Sequence, residues 1–515
     1  MTILHKQLLQ EKFGLSEFRH GQLEIISSVL QGADVLAVLP TGGGKSLCFQ
    51  LPAVLNDGLV IVISPLIALM RDQVRSLNAR GIAAGALHSG QSTDEKRRVF
   101  QDLAVGGAYL LYLSPERTQK EAFHRWLQNR KITLIAVDEA HCVSQWGHDF
   151  RIEYAQLKTL KALRPDVPML ALTASATPLV LTDIAKHLGL RNPAKHVYGF
   201  YRPNLYYQVE SCVDQDRKLA FVEQALTQTP SGRVIIYCGT RKLTEAVSQV
   251  LKKKFAGVAY YHAGLSPEDR NDIQHDYNSG AARILVSTNA FGMGIDHPDV
   301  RLVIHFNMPA NIDSLYQEMG RAGRDDAHST CLLLFEKKDK SLQSYFIQSS
   351  EAPADIKRSR WNNLDAILDY AESGECRHAG ILTYYQDAQR LKKCGHCDAC
   401  DPKSVRKIAQ PPLAEIAHTA LVTHSGQIVK KRSKSKFSEA PLDSMEQIRF
   451  ELLREWRKKT ADEFDIPAFV VFSDRSLKEI ARVNPAKISD LKKIHGFGET
   501  KLERFGRDVL NVLGQ

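Results

Sequence analysis

Val35-Leu36-Ala37-Val38-Leu39-Pro40-Thr41-Gly42-Gly43-Gly44-Lys45-Ser46 is a short apolar run, a glycine-rich turn and the start of a helical pattern. The apolar run suits a strand buried on both faces of a parallel sheet. Three glycines let backbone N–H groups wrap a phosphate, Lys45 can reach the β/γ-phosphates, and Ser46 can hold Mg²⁺. Thr41, Gly42, Gly43, Gly44, Lys45 and Ser46 are therefore candidate nucleotide-binding residues, with Lys45 also a catalytic one. The strict P-loop pattern places glycine where this chain has Leu39. A plain glycine turn between strand and helix is the alternative; the flanking strand and the Lys-Ser pair favour the phosphate site.

Similar apolar runs recur at Leu59 to Ile63, Tyr109 to Leu113, Leu134 to Val137 and Met169 to Leu172, each followed by a turn and a helical stretch. That βα rhythm predicts a doubly wound parallel sheet whose functional loops sit at the strand carboxyl ends. Asp138 and Glu139 occupy such an end. Asp138 can position Mg²⁺ through water, and Glu139 can orient or deprotonate an attacking water. A surface acidic turn is the bland reading. Thr173-Ala174-Ser175-Ala176-Thr177 ends a further run, and its hydroxyls could couple nucleotide state to a neighbouring lobe.

The residues after Glu139 change character: His141, Trp146, His148, Phe150 and Arg151 interleave aromatic and cationic side chains. Such a loop can stack on bases and meet phosphates. The alternative is an aromatic loop packed into the core, which charged neighbours disfavour.

Bulk composition agrees with a large soluble protein. The 515 residues are 43% hydrophobic and 24% charged, enough for three or four domains. No apolar run approaches the ~20 residues of a membrane span. Met1 to Gln10 is too polar for a signal peptide, so a cytoplasmic protein is expected. The net charge is +10, which suits a polyanionic partner. Half of it lies in residues 401–440, with eight Lys/Arg against three Asp/Glu.

Val234 to Cys238, Ile284 to Val286 and Leu302 to Ile304 predict strands of a second α/β lobe with no P-loop of its own. One nucleotide would then sit between two lobes. In Gln317-Glu318-Met319-Gly320-Arg321-Ala322-Gly323-Arg324, offsets of four and three predict Gln317, Arg321 and Arg324 on one helical face. Two arginines there can meet a γ-phosphate as charge develops. The alternative is a solvated basic face, but glycines inside a helix cost about 1 kcal/mol each.

Four of the nine cysteines cluster: Cys376, Cys394, Cys397 and Cys400. The spacing suits a closed four-thiolate zinc site. An iron–sulfur cluster competes, and His378 and His396 lie close enough to complicate the ligand set. Lys430 to Lys436 mixes basic residues with serine, as a flexible tether or a sequence-blind phosphate contact would. Met445, Ile448, Leu452 and Leu453 keep helical spacing in a nearly charge-balanced segment, 443–515.

The P-loop, Asp138-Glu139-Ala140-His141 and Ser175-Ala176-Thr177 together resemble a superfamily 2 helicase, and the loop to Arg151 resembles that of RecQ-type DNA helicases. Phe18-Arg19-His20-Gly21-Gln22 resembles the family's adenine motif, implying base contacts from Arg19 and Gln22; Leu15 stands where an aromatic residue often stacks. Ser287 to Asp296 resembles motif V, implying an Asp296 contact to the nucleotide sugar. The resemblance implies arginine fingers at Arg324 and Arg321, and four cysteine ligands to zinc.

The expected fold is α/β: two RecA-like lobes (1–205 and 206–340), a helical zinc-binding subdomain (341–402), a basic linker (403–442) in place of the family's winged helix, and a C-terminal all-helical HRDC-like domain (443–515). The expected activity is ATP-dependent 3′→5′ DNA unwinding with ATP, Mg²⁺ and Zn²⁺, in recombination, repair and replication. Expected partners are single-stranded and forked DNA and proteins met through the HRDC-like domain, with the chain a monomer at the nucleoid. The rivals are a DNA-stimulated translocase that unwinds weakly, an RNA helicase, and a non-catalytic DNA-binding scaffold.

Overall fold

The computed structural model describes residues 2–147, 149–291, 297–412, 443–463, 471–472, 474–491, 494 and 499–514. His148, Asp296 and the basic stretch Lys430 to Lys436 lie outside the described residues. The chain forms two compact units, one within residues 1–423 and one within 424–515.

The first unit holds two sheets. Strands β1 (Val35–Val38), β2 (Leu59–Ile63), β3 (Ala84–Leu87), β4 (Tyr109–Leu113), β5 (Ile132–Val137), β6 (Met169–Thr173) and β7 (Ala194–Val197) run in the order β3-β4-β2-β5-β6-β1-β7. Strands β8 (Leu205–Ser211), β9 (Arg233–Tyr237), β10 (Val258–Tyr261), β11 (Ile284–Ser287), β12 (Val300–His305) and β13 (Ser329–Phe335) run in the order β10-β11-β9-β12-β13-β8. Every pairing is parallel. The central strands are apolar on both faces because crossover helices cover both: all of β2 is buried. The edge strand β7 alternates exposed and half-buried residues, because helices cover an edge less completely.

A buried charge pair ties the first sheet together. Asp34, just before β1, accepts from Lys161 Nζ at 2.6 Å and from the amides of Met169 and Arg191 at 2.9 Å each. It thereby joins the entrances of β1, β6 and β7. Lys161 also donates to Val167 O at 2.9 Å. Neither charge is left uncompensated, which is what burial demands.

Helices Lys337–Ser349, Ala354–Glu372 and Arg377–Tyr384 follow the second sheet and pack back on the connection between the sheets. Phe200 stacks on Tyr385 with ring centroids 3.9 Å apart, and its amide donates to Asp387 Oδ2 at 2.7 Å. The hydroxyls of Tyr384 and Tyr385 both donate to Asp313, at 2.6 and 3.0 Å.

The stretch from residue 403 is not a free linker over its described part. Ile408 is 3% exposed, and its amide and carbonyl bond the Gln208 side chain at 2.8 and 2.9 Å. Arg217 reaches Pro411 O at 2.8 Å. Residues 403–412 thus extend the second lobe's packing along β8. Lys403, Arg406 and Lys407, which add to the basic charge of this stretch, therefore belong to a packed segment.

The second unit contains helices Ser444–Glu463, Asp474–Val483, Ile488–Leu491 and Glu499–Val512. Phe450, Leu453, Phe472, Leu477, Ile480, Phe505 and Val509 form its core. The expected helix at 445–453 is present, but Met445, Ile448 and Leu452 are exposed while Phe450 and Leu453 are buried. Among the described residues no helix is long and apolar enough to cross a membrane.

Replacing Lys161 with Met leaves Asp34 buried without its cation. The first lobe should lose roughly 3–5 kcal/mol, read as a lower urea midpoint for that lobe's transition; an unchanged midpoint would show that the two amides alone suffice.

Candidate functional site

Three strand ends build the site. In β5-β6-β1 order, Asp138, Thr173 and the glycine turn leave neighbouring carboxyl ends. Val38 pairs with Thr173, and Leu39 N donates to Thr173 O at 3.1 Å. Leu39 is 1% exposed, so the residue that replaces the usual glycine continues β1 and leaves the turn beyond it intact. Gly42 and Gly44 have φ of 83° and 74°, a backbone region that side chains resist and that turns successive amides toward one centre.

Arg19 and Gln22 brace this turn. Gln22 Nε2 donates to Gly43 O and Gly44 O at 3.1 and 3.0 Å, and its Oε1 accepts from Arg19 N at 2.8 Å. The Arg19 guanidinium donates to Gly42 O. Leu15 is 44% exposed.

Asp138 closes β5, its amide donating to Ile63 O at 2.9 Å. Burial, and then the neighbouring Glu139 charge, push its carboxyl up to about 7, while Lys45 and the Glu139 amide draw it back. Glu139 sits at φ 49°, a left-handed conformation uncommon for a side-chain-bearing residue. An extended strand would send these adjacent carboxylates to opposite faces; the kink ends the strand there, and the two remain close enough for the Glu139 charge to act on Asp138.

His141, expected on a nucleic-acid surface, is 1% exposed. Its Nδ1 lies 3.0 Å from Thr173 Oγ1 and 3.3 Å from Glu139 Oε2. The short 3₁₀ turn Ala140–Val143 carries its ring inward between β5 and β6. Thr173 Oγ1 donates to Ser175 O at 3.0 Å, and Ser175 Oγ accepts from Gln317 Nε2 at 3.1 Å. A chain of polar contacts therefore runs from Glu139 to the second lobe.

Gln317, Arg321 and Arg324 do not share a helix. The helix Ile312–Met319 ends before both arginines. Gly323 has φ 56°, and its amide donates to Val300 O at 2.9 Å; that bond belongs to a turn, not a helix. The glycines serve close approach: a side chain on Gly320 would start 2.9 Å from Thr41 Cβ, and one on Gly42 would start 3.3 Å from Arg324 Cγ. Arg321 is 7% exposed. The structure thus sets Arg324 against the glycine turn of the other lobe, by a different backbone route from the expected one.

In the aromatic loop, Arg151 binds Asp149 Oδ2 through Nε and Nη2 at 3.2 and 2.9 Å, and donates from Nη1 to Pro65 O at 3.2 Å. Trp146 and Phe150 border a cleft of about 750 Å³ whose far side includes Gly239, Asn289, Asn307 and Arg360. Among the expected contacts described here, Trp146, Phe150 and Arg151 are accessible and His141 is not.

Cys376, Cys394, Cys397 and Cys400 bring their sulfurs within 4.8 Å of one another. A zinc tetrahedron with ~2.3 Å bonds needs sulfurs about 3.8 Å apart, so the donors fit one ion; the bulk of an iron–sulfur cluster would spread them further. His378 Nε2 and His396 Nδ1 both contact Leu205 O, at 3.2 and 3.1 Å. A carbonyl only accepts, so each donates a proton there.

Residues 19–184 match the DEAD/DEAH box helicase family, 217–326 the helicase conserved C-terminal domain, 337–401 the RecQ zinc-binding family and 446–513 the HRDC domain. The chain is 34% identical to the ATP-dependent DNA helicase RecQ of Haemophilus influenzae, covering 98% of this chain and 95% of that one. It is 33% identical to the RecQ of Bacillus subtilis, covering 99% of each. The chain belongs to the RecQ family. The first alignment runs over 593 positions, more than the 515 residues here, so that relative carries segments this chain lacks. The fold is also that of the Mycobacterium smegmatis helicase Lhr (TM-score 0.52, 20% identity, 70% of this chain and 57% of that one). Dbp5 of S. cerevisiae shares it too (TM-score 0.53, 17% identity, 70% and 97%). As a RecQ-family protein, the chain takes ATP as its cofactor together with zinc at the four cysteines.

No sequence pattern marks Arg202 and Asn204, in the connection between the sheets. Arg202 Nη1 donates to Thr41 O at 3.0 Å, and its Nη2 to Ala322 O and Gly323 O at 3.2 and 2.9 Å. Asn204 Nδ2 donates to Gly323 O at 2.8 Å. These contacts join positions more than a hundred residues apart, which no local pattern announces.

Buried Asp138 is a weaker acid in the native state than in the unfolded chain. The native state holds this proton more tightly than the unfolded chain, so stability is lost as pH rises from about 4 to about 7. With nucleotide and divalent cations removed by EDTA, Asp138→Asn should raise the melting temperature at pH 8 by several degrees and have little effect at pH 4.5. Equal effects at both pH values would refute the assignment.

Proposed function

We propose that this chain is an ATP-dependent DNA helicase that moves 3′→5′ on single-stranded DNA and unwinds duplexes in recombination, repair and replication. The observation that carries the reading is the polar chain Glu139–His141–Thr173–Ser175–Gln317, which joins the acidic pair of one lobe to the arginine segment of the other. An ATPase that acted alone would need no such link.

The site residues take these roles. The Gly42, Gly43 and Gly44 amides and Thr41 hold phosphates; Lys45 neutralises the β/γ-phosphates; Ser46 and Asp138 hold Mg²⁺. Bound ATP with Mg²⁺ supplies the phosphoryl group and its charge neutralisation. Glu139 orients the attacking water. Arg324, with Arg321 beside it, meets the charge that develops on the γ-phosphate. Arg19 and Gln22 contact adenine, and Asp296 the sugar. Trp146, His148, Phe150 and Arg151 engage single-stranded DNA by stacking and charge. His141 belongs to the link between lobes. The second unit, matched by the HRDC domain, contacts DNA or partner proteins, and the chain works as a monomer at the bacterial nucleoid.

A second reading has one observation behind it: the longer alignment with the Haemophilus influenzae relative. If the missing segments include a strand-separating wedge, the chain translocates well and unwinds weakly. ATPase and unwinding measured together on forked and 3′-tailed duplexes decide between the two. Unwinding of 3′-tailed duplexes supports the helicase; DNA-stimulated ATPase and stripping of bound protein without unwinding supports the translocase. Stimulation by RNA above DNA would overturn both.

Lys45→Ala should lower DNA-stimulated ATP hydrolysis a hundredfold or more; retained turnover would refute the phosphate site. Trp146→Ala should reduce the ratio of DNA-stimulated to DNA-free hydrolysis about tenfold, and an unchanged ratio would remove the loop from the coupling path.

A further inference from the structure

The connection between the two lobes does more than span them. It carries Arg202, which is 8% exposed and donates hydrogen bonds to both lobes at once. One arm ends on the carbonyl of Thr41 in the glycine turn of the first lobe; the other ends on the carbonyls of Ala322 and Gly323 in the arginine segment of the second. All three acceptors are backbone oxygens, so the guanidinium reads backbone position and is indifferent to the side chains there.

Its neighbours leave it little freedom. Asn204 Oδ1 lies 3.4 Å from Arg202 Nε, while Asn204 Nδ2 holds Gly323 O and Ala327 O at 2.8 and 3.1 Å. A side chain on Gly323 would start 2.5 Å from Asn204 Nδ2, so this glycine is what admits the clamp. On the N-terminal side, Phe200 N bonds Asp387 and Tyr201 OH bonds His396 Nε2 at 2.8 Å. On the other, Leu205 O accepts from His378 and His396. The cysteine-bearing module therefore grips the chain on both sides of Arg202.

We infer that Arg202 is a positioning residue of the ATPase: it sets the distance between the glycine turn and the Arg321–Arg324 segment, and so places the arginines for hydrolysis without touching the nucleotide. This rests on the reading of Arg321 and Arg324 given under Proposed function. Nucleotide binding should survive its loss, because Arg19 and Gln22 brace the glycine turn from within the first lobe. Alignment of the arginines should not survive. Lysine is a poor substitute, since one ammonium group lacks the planar fork that spans acceptors on two sides.

The test is steady-state ATP hydrolysis by the full-length protein at saturating single-stranded DNA. Arg202→Ala should lower kcat at least tenfold while KM for ATP stays within threefold. Millimolar ethylguanidinium should restore part of the lost kcat in that variant and leave Lys45→Ala inactive. Arg202→Lys, the variant less exposed to misfolding, should lose threefold or more in kcat at an unchanged melting temperature. The inference is overturned if either variant keeps kcat within twofold of the parent, or if kcat and KM worsen together without guanidinium rescue. Lys45→Ala separates the two readings: if it still hydrolyses ATP, the site assignment fails; if it is inactive while Arg202→Ala is normal, only the clamp fails.

Discussion

Two backbone hydrogen bonds carry the whole site: Leu39 N to Thr173 O, and Asp138 N to Ile63 O. Each extends a parallel ladder by one residue past the strand proper. Together they fix where β1, β5 and β6 stop, and hence where the glycine turn, the acidic pair and Thr173 begin. A one-residue slip in any of these strands would turn its side chains to the other face and dissolve the constellation. The slip is prevented elsewhere, by the apolar filling of the central strands and by Asp34, which ties the entrances of β1, β6 and β7 to Lys161. A buried ion pair remote from the chemistry thus protects the register on which the chemistry depends.

From that fixed base, communication across the lobes is made of short polar contacts and close approaches, not of long-range charge. Glu139, His141, Thr173, Ser175 and Gln317 are linked by contacts of 3.0 to 3.3 Å. Gly320 lies against Thr41 and Gly42 against Arg324, approaches that a side chain on either glycine would crowd. Such contacts weaken steeply with distance and angle, so a small lobe displacement makes or breaks them. Surface ion pairs, screened by salt and worth little, would transmit the same displacement poorly. The left-handed Glu139 belongs to this design: its backbone conformation aims the carboxylate at the His141 ring.

Much of this was legible in the residues. The central strands announce themselves as unbroken apolar runs, and β1, β2, β4, β5, β6, β9, β11 and β12 all fall where such runs lie. Of the five strands not read from the sequence, β3 reads Ala-Gly-Ala-Leu, β7 exposes Lys195, β10 is only half-buried and β8 breaks at Gln208 after three apolar residues, whereas β13 carries a fully buried apolar run, Cys331 to Phe335, that was overlooked. The arginine segment was misread because a 3.6-residue spacing fits Gln317, Arg321 and Arg324 equally well on a helix and on a helix followed by a turn. Gly323, read as a costly helix interior, was the evidence for the turn. His141 was grouped with its exposed neighbours because aromatic and cationic content is the same in a surface loop and in a buried relay. Arg202 had no local signal at all, since its partners are 161 and about 120 residues away.

The cysteine module acquires a second meaning from these contacts. A closed four-thiolate site holds a small fold together, and that alone would explain its presence. Yet both its histidines donate an N–H to Leu205 O, and Asp387 accepts from the Phe200 amide. Phe200 lies in the strap that joins the lobes, and Leu205 is where that strap enters β8. Binding free energy released on closing the metal site is folding free energy for the module, and through these bonds it also stiffens the strap. A strap left loose would let the lobes separate at no cost and would hold no particular distance between the glycine turn and the arginines. A motor that cycles between open and closed clefts needs a hinge that bends at defined points while keeping its length, and a metal-anchored strap with one two-handed arginine meets that requirement.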